Sequence, residues 1–523
     1  MHVFPARFVL ALLALIAAGC ILENDESDAD SNGPAIEPGK TVVVYQTFRP
    51  DTQRAQLYAA ASDGSAVHLL APDRLSSATI EAYALSPTGI YVAYRASAGG
   101  TEPERLYIAN VYTGEITEIT RRVGGPLGAG TFVWSPIGTH LAYTGGDVAS
   151  SAGWLYLYDL PADRSLRVSP GETAAHNLST LAATPDLLRW SPNGAALAYR
   201  SDYGTAELNA IAPDGSGYRR LSALPTSDTV VHDVVEWAPD SRRIFYVAEQ
   251  DTPGAPELFV TNFDGSGNLQ LSPAFPAGGE VQSAYWSPDS RFVAMAIAQD
   301  ALGAQIRLWG SAADGSHAWD IASNIGANGA VDPAVIEWSP DASHIAYLAD
   351  ANGDGLSEFY SAAVPSGDLY LLSPASPGTS PEASLAWDPQ STRLAFTQDT
   401  NTPGRFVLYT SDATGSVRTG ISGLPTADAS VRDFVWTPAG NPLGGALAYR
   451  VVTANNIALR VFETASNATT ELTRFSRAPI LIRPEWLPRS AQLAFVGDVY
   501  TPDVAELFIS DPAGPIRTIS HRM

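Results

Sequence analysis

The segment WSPDASHIAYLAD, residues 338–350, combines a tryptophan, a turn and an alternating apolar strand in thirteen positions. Pro340 sets φ for the first central position of a turn, and the Asp-Ala-Ser sequence after it completes the reversal. The residues from His344 to Asp350 then alternate as expected for a strand with one face toward a core. The segment therefore predicts a turn that leads into a β-strand.

The same phrase recurs along the chain at intervals of 47 to 56 residues. Leu85 opens its first copy, and proline follows two positions after the opening residue in all nine copies. The other eight copies open with tryptophan, at Trp134, Trp190, Trp237, Trp286, Trp338, Trp387, Trp436 and Trp486. A period of this length predicts a fold built from one repeated supersecondary unit.

Each unit carries the signals of four short strands. A second strand ends in a small residue and an aromatic residue, as in Ala346-Tyr347, and a third contains a leucine and an aromatic residue, as in Leu106-Tyr107. Turn signals such as Asp264-Gly265 precede a fourth short strand. Four antiparallel strands in about 50 residues make one propeller blade.

The units predict an all-β protein, a β-propeller of about ten blades over residues 41–523. Residues 42–47, VVVYQT, open a further blade that has no tryptophan phrase before it. We favour a single ring, and two smaller propellers are the alternative. Residues 33–40 are the candidate for the missing innermost strand of this first blade, although Pro34 and Pro38 disfavour it.

The repeated tryptophans are expected to pack one blade against the next. Blades bury their faces only against neighbouring blades, so a large aromatic side chain belongs between sheets and alanine suits the crowded positions near the axis. A carbohydrate-binding platform is the alternative role for so many aromatic residues. The fixed register favours packing.

The phrases WSPDSRFVAM, WSPDASHIAY and WSPNGAALAY resemble the WD-type propeller repeat of the TolB family. This resemblance covers residues 41–523 and implies the propeller fold, together with an envelope location and a binding role. It is specific for architecture only, because one fold supports many activities.

The first twenty residues, MHVFPARFVLALLALIAAGC, predict an export signal, with Arg7 before a short apolar run. Residues 16–20, IAAGC, resemble the lipobox of bacterial lipoproteins, which implies that Cys20 becomes the lipid-modified first residue of the mature chain. Cys20 is the single cysteine in the sequence, so it has no internal disulfide partner. By the same resemblance, Ile21 favours the outer membrane, and an ordinary cleaved signal is the alternative.

Residues 21–40 carry six acidic residues and one base, which predicts a disordered acidic tether between the lipid and the propeller. The whole chain has a formal charge of −24, so a phosphate backbone would be repelled and nucleic acid is not expected as a partner.

The sequence DANGDGLSE, residues 350–358, predicts one structural calcium site. Asp350, Asn352, Asp354 and Glu358 supply hard oxygen ligands, and Gly355 permits the sharp turn that brings them together. The motif resembles the hairpin loops of integrin-type propellers, which lie between the second and third strands of a blade. A solvated Asp/Asn/Gly turn without metal is the alternative.

The sequence contains neither a G-x-S-x-G elbow nor the histidine spacing of a metal hydrolase, so we expect a non-catalytic protein. The main functional hypothesis is a lipid-anchored envelope propeller that binds another envelope protein or polymer through its channel or a loop face. One alternative is a hydrolase or lyase that acts on an envelope polymer or a small ester. Another is a ligand or glycan sensor, in which Trp154 and Trp319 would be exposed contact residues.

Overall fold

The computed structural model shows ten sheets of four strands each, arranged as a single β-propeller. It describes residues 14–16, 35–38, 40–49, 54–70, 79–97, 104–120, 127–147, 153–168, 188–202, 206–222, 231–250, 252, 254–303, 305–373, 384–399, 405–423, 428–476, 482–487, 490–497, 506–512 and 516–518. No helix occurs within these ranges. The prediction of an all-β propeller of about ten blades is confirmed.

Each blade is named by its place along the chain. Blade 1 contains β1 (Ala14–Ile16), β2 (Val42–Arg49), β3 (Arg54–Ala61) and β4 (Val67–Leu69); blade 2 contains β5 (Thr79–Leu85), β6 (Tyr91–Ser97), β7 (Arg105–Asn110) and β8 (Ile116–Glu118); blade 3 contains β9 (Leu127–Trp134), β10 (His140–Asp147), β11 (Gly153–Asp159) and β12 (Arg164–Arg167); blade 4 contains β13 (Leu188–Trp190), β14 (Leu197–Asp202), β15 (Ala206–Ile211) and β16 (Arg219–Arg220); blade 5 contains β17 (Val231–Trp237), β18 (Arg243–Ala248), β19 (Glu257–Asn262) and β20 (Leu269–Gln270).

The second half of the ring follows the same plan. Blade 6 contains β21 (Glu280–Trp286), β22 (Phe292–Ala298), β23 (Ile306–Ala312) and β24 (Ala318–Asp320); blade 7 contains β25 (Ala330–Trp338), β26 (His344–Asp350), β27 (Glu358–Ala363) and β28 (Leu369–Leu371); blade 8 contains β29 (Leu385–Trp387), β30 (Leu394–Asp399), β31 (Phe406–Ser411) and β32 (Arg418–Gly420); blade 9 contains β33 (Ser430–Trp436), β34 (Ala446–Val452), β35 (Asn456–Glu463) and β36 (Ala468–Ser476); blade 10 contains β37 (Ile482–Trp486), β38 (Leu493–Gly497), β39 (Glu506–Ser510) and β40 (Ile516–Thr518).

The first blade obtains its innermost strand in an unusual way. In blades 2 to 10 the strands pair antiparallel in chain order, whereas β1 pairs parallel to β2, with Leu15 opposite Tyr45. The innermost strand therefore comes from residues 14–16, inside the predicted export signal. The expectation that residues 33–40 supply this strand is wrong, because Ile36 instead packs between blades 1 and 2.

The ring closes because every blade packs against two neighbours. Ten clusters of buried apolar side chains fill ten seams, one between each pair of consecutive blades and one between blades 10 and 1. The closing seam places Val43 and Tyr45 of blade 1 against Leu487 and Ile509 of blade 10. The alternative of two smaller propellers is therefore wrong.

The opening tryptophan of each repeat lies in the seam with the preceding blade. All eight indole rings are between 2 % and 8 % exposed. Each indole N–H donates a hydrogen bond to the carbonyl oxygen of the residue just before the opening residue of the previous blade. These bonds join Trp134 to Ala84 (3.0 Å), Trp190 to Val133 (3.2 Å), Trp237 to Arg189 (2.9 Å), Trp286 to Glu236 (3.0 Å), Trp338 to Tyr285 (3.2 Å), Trp387 to Glu337 (3.3 Å), Trp436 to Ala386 (3.0 Å) and Trp486 to Val435 (3.2 Å).

Within the blades, the aromatic residue of the second strand stacks on the aromatic residue of the third. Tyr143, for example, lies directly opposite Tyr156, with ring centroids 5.1 Å apart. Six other blades repeat this stack at 5.3 to 5.8 Å. Such cross-strand pairs are the main side-chain contribution to sheet stability, so the two aromatic signals of each repeat fix the register of its strands.

In eight of the nine repeats, the fourth residue after the opening residue adopts a left-handed backbone conformation. It is glycine in blades 2, 3, 4 and 9, with φ between 69° and 77°, serine in blades 5, 6 and 8, and alanine in blade 7. A Cβ atom on Gly138 would lie 2.8 Å from Thr88 Cγ2, and one on Gly194 would lie 3.1 Å from Ile137 Cγ1. At Gly138 and Gly194, glycine is favoured because the turn of the preceding blade lies against the backbone.

Serine replaces glycine where the contact is a hydrogen bond. Ser241, Ser290 and Ser391 have φ of 64°, 63° and 60°. Their hydroxyl oxygens accept the backbone N–H of Asn193, Asp240 and Asp341 in the previous blade at 3.0, 3.0 and 2.9 Å. The choice of serine at these three positions thus reflects a hydrogen bond between adjacent turns.

Replacing Trp338 with phenylalanine should destabilise the protein by about 2 kcal/mol, because the Tyr285 carbonyl loses its donor in a buried seam. Denaturant unfolding would measure the change. Trp319→Phe, outside the repeat register, is the matched control and should cost clearly less. Equal losses would show that the indole bond contributes nothing beyond ring size.

Gly138→Ser should cost about 2 kcal/mol more than Gly89→Ser. Both positions have positive φ, but a Cβ on Gly89 would meet no atom within 4 Å, whereas one on Gly138 would meet Thr88. The comparison separates backbone strain from the contact between turns. Indistinguishable midpoints in thermal unfolding would contradict the proposed role of that contact.

Candidate functional site

The two ends of the ring differ because each blade is a meander of antiparallel strands. One end, the turn face, carries the short turns between first and second and between third and fourth strands, such as 339–343 and 364–368. The other end, the loop face, carries the loops between second and third strands and the connections between blades, such as 351–357 and 321–329.

The predicted calcium loop lies on the loop face, between β26 and β27. Its first acid, Asp350, accepts the backbone N–H of Gly353 at 2.7 Å and of Gly355 at 2.8 Å, one with each carboxylate oxygen. Asp354 accepts the N–H of Leu356 at 2.9 Å and the side-chain amide of Asn352 at 2.9 Å. These bonds fold residues 350–356 into a compact loop.

This loop packs closely against the connection from blade 6. The Gly326 N–H donates to the Ala351 carbonyl at 2.7 Å. A Cβ on Gly329 would lie 2.5 Å from the Asp350 carbonyl oxygen, and one on Gly353 would lie 2.7 Å from that of Asn328. Glycine at these positions lets the two backbones approach.

Blade 6 holds the connection in place through Arg307. Its guanidinium donates to the Ile325 carbonyl at 2.7 Å and to the Gly326 carbonyl at 2.9 Å. The Tyr347 hydroxyl of blade 7 reaches Asn324 Oδ1 at 3.3 Å from the other side. Blades 6 and 7 therefore present the loop on a supported base.

Glu358, the last predicted ligand, is only 5 % exposed at the start of β27. Burial raises the pKa of its carboxyl group, and the negative charges of Asp354 and Asp350 add to the rise. The Tyr360 hydroxyl donates to Glu358 Oε2 at 3.3 Å and acts in the opposite direction. The same carboxylate contributes, after burial, to raising the pKa of Tyr360 to about 12.

No group of three or more His, Cys, Asp or Glu side chains poised to hold a metal ion occurs in the described part of the chain. The structure brings Asp350, Asn352, Asp354 and Glu358 into one loop, where their oxygens are engaged with protein donors. The calcium site stays a prediction.

The predicted lipidation residue, Cys20, and most of the predicted tether, residues 21–34, lie outside the part of the chain that the structure describes. Among the residues that are described, no helix is long and apolar enough to cross a membrane.

Two histidines occupy equivalent positions at the start of the second strand. Nδ1 of His140 and Nδ1 of His344 each form a hydrogen bond of 2.9 Å with the hydroxyl group of the preceding residue, Thr139 and Ser343. Their rings lie 6.5 Å from Trp190 and 6.2 Å from Trp387, the opening tryptophans of the next blades. Both therefore contribute to blade packing.

Trp154 and Trp319, the candidate ligand contacts, are half-buried. The Arg167 guanidinium lies 4.6 Å above the Trp154 ring, and His317 stacks on Trp319 at 5.6 Å. A Cβ on Gly310 would lie 2.4 Å from the Trp319 ring. The protein itself covers both rings, which weakens their case as a ligand platform.

The similar segments 221–237 and 421–436 suggested that four aspartates line one face. Asp228 and the Asp233 side chain fall outside what the structure describes. Asp433 pairs with Arg450, and Asp428 accepts the Ala454 N–H at 2.9 Å. The two that are described thus have structural partners in blade 9.

Sequence reasoning missed a second set of links between blades. In three blades, the residue after the aromatic of the second strand donates to a carbonyl on the first strand of the next blade. Gln46 donates to Ile80 at 3.3 Å, Arg95 to Gly130 at 3.1 Å and Arg200 to Val231 at 3.2 Å. A long polar side chain at this position was the available signal.

Comparison with known proteins gives similarity at the level of structure. No protein-family model and no curated protein sequence matches the chain. Among solved structures, dipeptidyl peptidase 4 from Porphyromonas gingivalis matches 84% of this chain and 59% of its own length, with 12% identity and a TM-score of 0.46. A putative TolB from Agrobacterium tumefaciens matches 52% of this chain and 89% of its own, with 18% identity and a TM-score of 0.28.

An oligogalacturonate lyase in complex with manganese matches 78% of this chain and 96% of its own, with 14% identity and a TM-score of 0.33. This chain spans about three fifths of the length of the dipeptidyl peptidase that it matches. At these identities and TM-scores, the matches carry no conclusion about the activity, substrate or partners of this chain.

Proposed function

We propose that this protein is a lipid-anchored propeller of the cell envelope that binds another envelope protein or polymer through its loop face, without catalysis. The observation that carries this proposal is the difference between the two faces of the ring. On the turn face, backbone N–H groups and turn glycines are engaged in contacts between adjacent blades. The loop face carries the longer connections, where a fixed scaffold can present variable contacts.

Exposed groups on the loop face fit a docking role. Leu302, in the loop between β22 and β23, is 90 % exposed. Asn328 and Asp354 are also exposed, on the glycine-packed loops of blades 6 and 7. These residues lie on loops that contacts with the blades hold in place, so docking would lose little conformational entropy of the loops.

The charge of the chain limits the chemistry of the partner. A formal charge of −24 favours a basic or neutral surface and disfavours polyanions. A partner in the envelope is consistent with the predicted lipid on Cys20, which would hold the propeller at a membrane through the predicted N-terminal tether.

Hydrolase or lyase activity is the main alternative, since propellers also occur in the peptidase and the lyase noted above. The described histidines have packing or ion-pair roles, as in His232, whose Nε2 lies 3.2 Å from Glu249 Oε1. Substrate turnover by the purified protein in a panel of envelope polymers and small esters would favour this alternative.

Site-specific photo-crosslinking would test docking directly. A photoreactive residue at Leu302 should give crosslinks to one envelope macromolecule in membranes that carry the tethered protein. The same residue at Ile137, which is 50 % exposed on the turn face, is the matched control and should give none. Cys20→Ser should release the protein from the membrane fraction. Crosslinks from Ile137 alone would refute the proposed face.

We also propose that loop 350–358 binds one calcium ion. Three carboxylates lie in one loop, and Asp354 and Asp350 raise the pKa of buried Glu358 through their negative charge. A divalent cation would relieve this repulsion, and oxygen ligands of this kind suit calcium. Binding would exchange the contacts from Asn352 and Tyr360 for contacts to the ion.

Titration calorimetry would decide the calcium proposal. The wild type should bind one ion, and Asp354→Ala should weaken binding by about tenfold or more. Asp300→Ala, in the corresponding loop of blade 6, is the control and should bind like the wild type. A wild type that produces no binding heat would rule the site out.

A further inference from the structure

Residues 35–38 and 40, here called the strap, lie across the outer side of the seam between blades 1 and 2. Ile36 is 1 % exposed and belongs to the apolar cluster that also contains Leu70 of blade 1 and Val111 of blade 2. The strap therefore contributes a core side chain to this seam, although it lies between β1 and β2 and belongs to neither strand.

A buried histidine holds the middle of the strap. The Ile36 N–H is shared between the Tyr112 carbonyl at 3.1 Å and Nε2 of His68 at 3.2 Å. His68 lies on β4 and is 1 % exposed. Because Nε2 accepts a hydrogen bond, this nitrogen carries no proton when the strap is docked.

The end of the strap is fixed by Lys40, the single lysine of the sequence. Its ammonium lies 3.0 Å from Asp63 and 3.7 Å from Glu37, and it donates to Ser65 Oγ at 2.9 Å. The Tyr112 hydroxyl donates to the Lys40 carbonyl at 3.3 Å. These contacts are exposed, so they contribute less to docking than Ile36 does.

We propose that the seam between blades 1 and 2 is a docking site for the strap and that His68 is a catch which acid opens. Protonation of Nε2 would remove one of the two acceptors of the Ile36 N–H, leaving the Tyr112 carbonyl, and would place a positive charge in an apolar seam. The strap then detaches while the propeller remains folded, because nine of the ten seams contain no strap residue and the seam between blades 1 and 2 keeps its other buried side chains, such as Leu57 and Tyr94.

The direction of the pH dependence follows from burial. Burial lowers the pKa of His68 below its usual 6.5, and the Tyr112 carbonyl opposes this shift. The other titratable groups of the packed elements are Glu37 and Lys40 of the strap, Asp63, Tyr112 and Glu115. Because the pKa of His68 is lowered in the docked state, neutral His68 stabilises docking at pH values above the ordinary histidine pKa of 6.5. This stability is lost as the pH falls below 6.5.

The consequence for the protein rests on the proposed lipid tether. The strap lies between the acidic segment and the propeller, so its release would add about 20 Å of extended chain to the leash. Acid would then let the propeller reach further from the membrane. The catch itself can be tested without the lipid.

Hydrogen exchange of the strap measures its docking directly. In full-length Cys20→Ser protein, the amides of the strap should lose protection by about tenfold or more between about pH 7.5 and about pH 5, after correction for intrinsic exchange. In His68→Gln the side-chain oxygen can still accept the Ile36 N–H but does not titrate. Protection should then be the same at both pH values.

His344→Gln is the matched control, because burial also lowers the pKa of His344 but this residue lies in blade 7. This variant should keep the pH dependence of the strap. Ile36→Ser should leave the strap open at both pH values, and a lysine-specific protease should then cut after Lys40 at least about tenfold faster than in the wild type at about pH 7.5.

A strap that keeps its protection in acid would overturn the proposal, as would a His68→Gln protein with the full pH dependence of the wild type. Loss of protection in every blade at acid pH would assign the effect to general unfolding and would likewise overturn it. If the proposed lipid anchor is wrong, the Cys20→Ser protein should distribute between membrane and soluble fractions like the wild type. The hydrogen-exchange results on the strap do not depend on that outcome.

Discussion

The innermost strand of each blade has one edge without a neighbouring strand. The rest of the fold depends on how the main-chain groups of this edge find hydrogen-bond partners. In eight seams a carbonyl of that strand accepts the indole N–H of the next blade, while the indole ring fills the space between the sheets. One side chain thus provides apolar burial and pairs a main-chain group near the axis. This explains why tryptophan recurs there, since phenylalanine offers only burial and tyrosine carries its hydroxyl elsewhere on the ring.

Contacts between adjacent blades also account for the glycine and serine residues in the turns of the repeat. Adjacent turns touch at the left-handed position, and the neighbour decides whether glycine or serine fits. Glycine appears where Thr88 or Ile137 leans on the backbone, and serine appears where a backbone N–H can be accepted. On the turn face, short turns of adjacent blades are therefore in direct contact at several seams, whereas the loop face carries the longer connections.

The N-terminal region joins this scaffold at two places. Residues 14–16 complete blade 1 in the full chain. Cleavage before Cys20, which the lipobox resemblance implies, would remove this strand and leave blade 1 with β2, β3 and β4. Ile36 enters the seam between blades 1 and 2 beside His68. Segments outside the repeat thus join the propeller at the edge of blade 1 and at the seam between blades 1 and 2, and a membrane tether would meet the propeller there.

The sequence by itself determined the blade, the number of blades and the position of the packing tryptophans, because these follow from local signals repeated in register. It also placed Asp350, Asn352, Asp354 and Glu358 in one loop, since they are close along the chain. Only the tertiary structure decided that one ring closes, which carbonyl each indole meets, and that the loop packs on the connection held by Arg307. Those contacts join residues from 18 positions apart, as in Arg307 and Ile325, to opposite ends of the chain, as in Val43 and Leu487. A local pattern carries no information on which distant backbone group lies opposite a side chain.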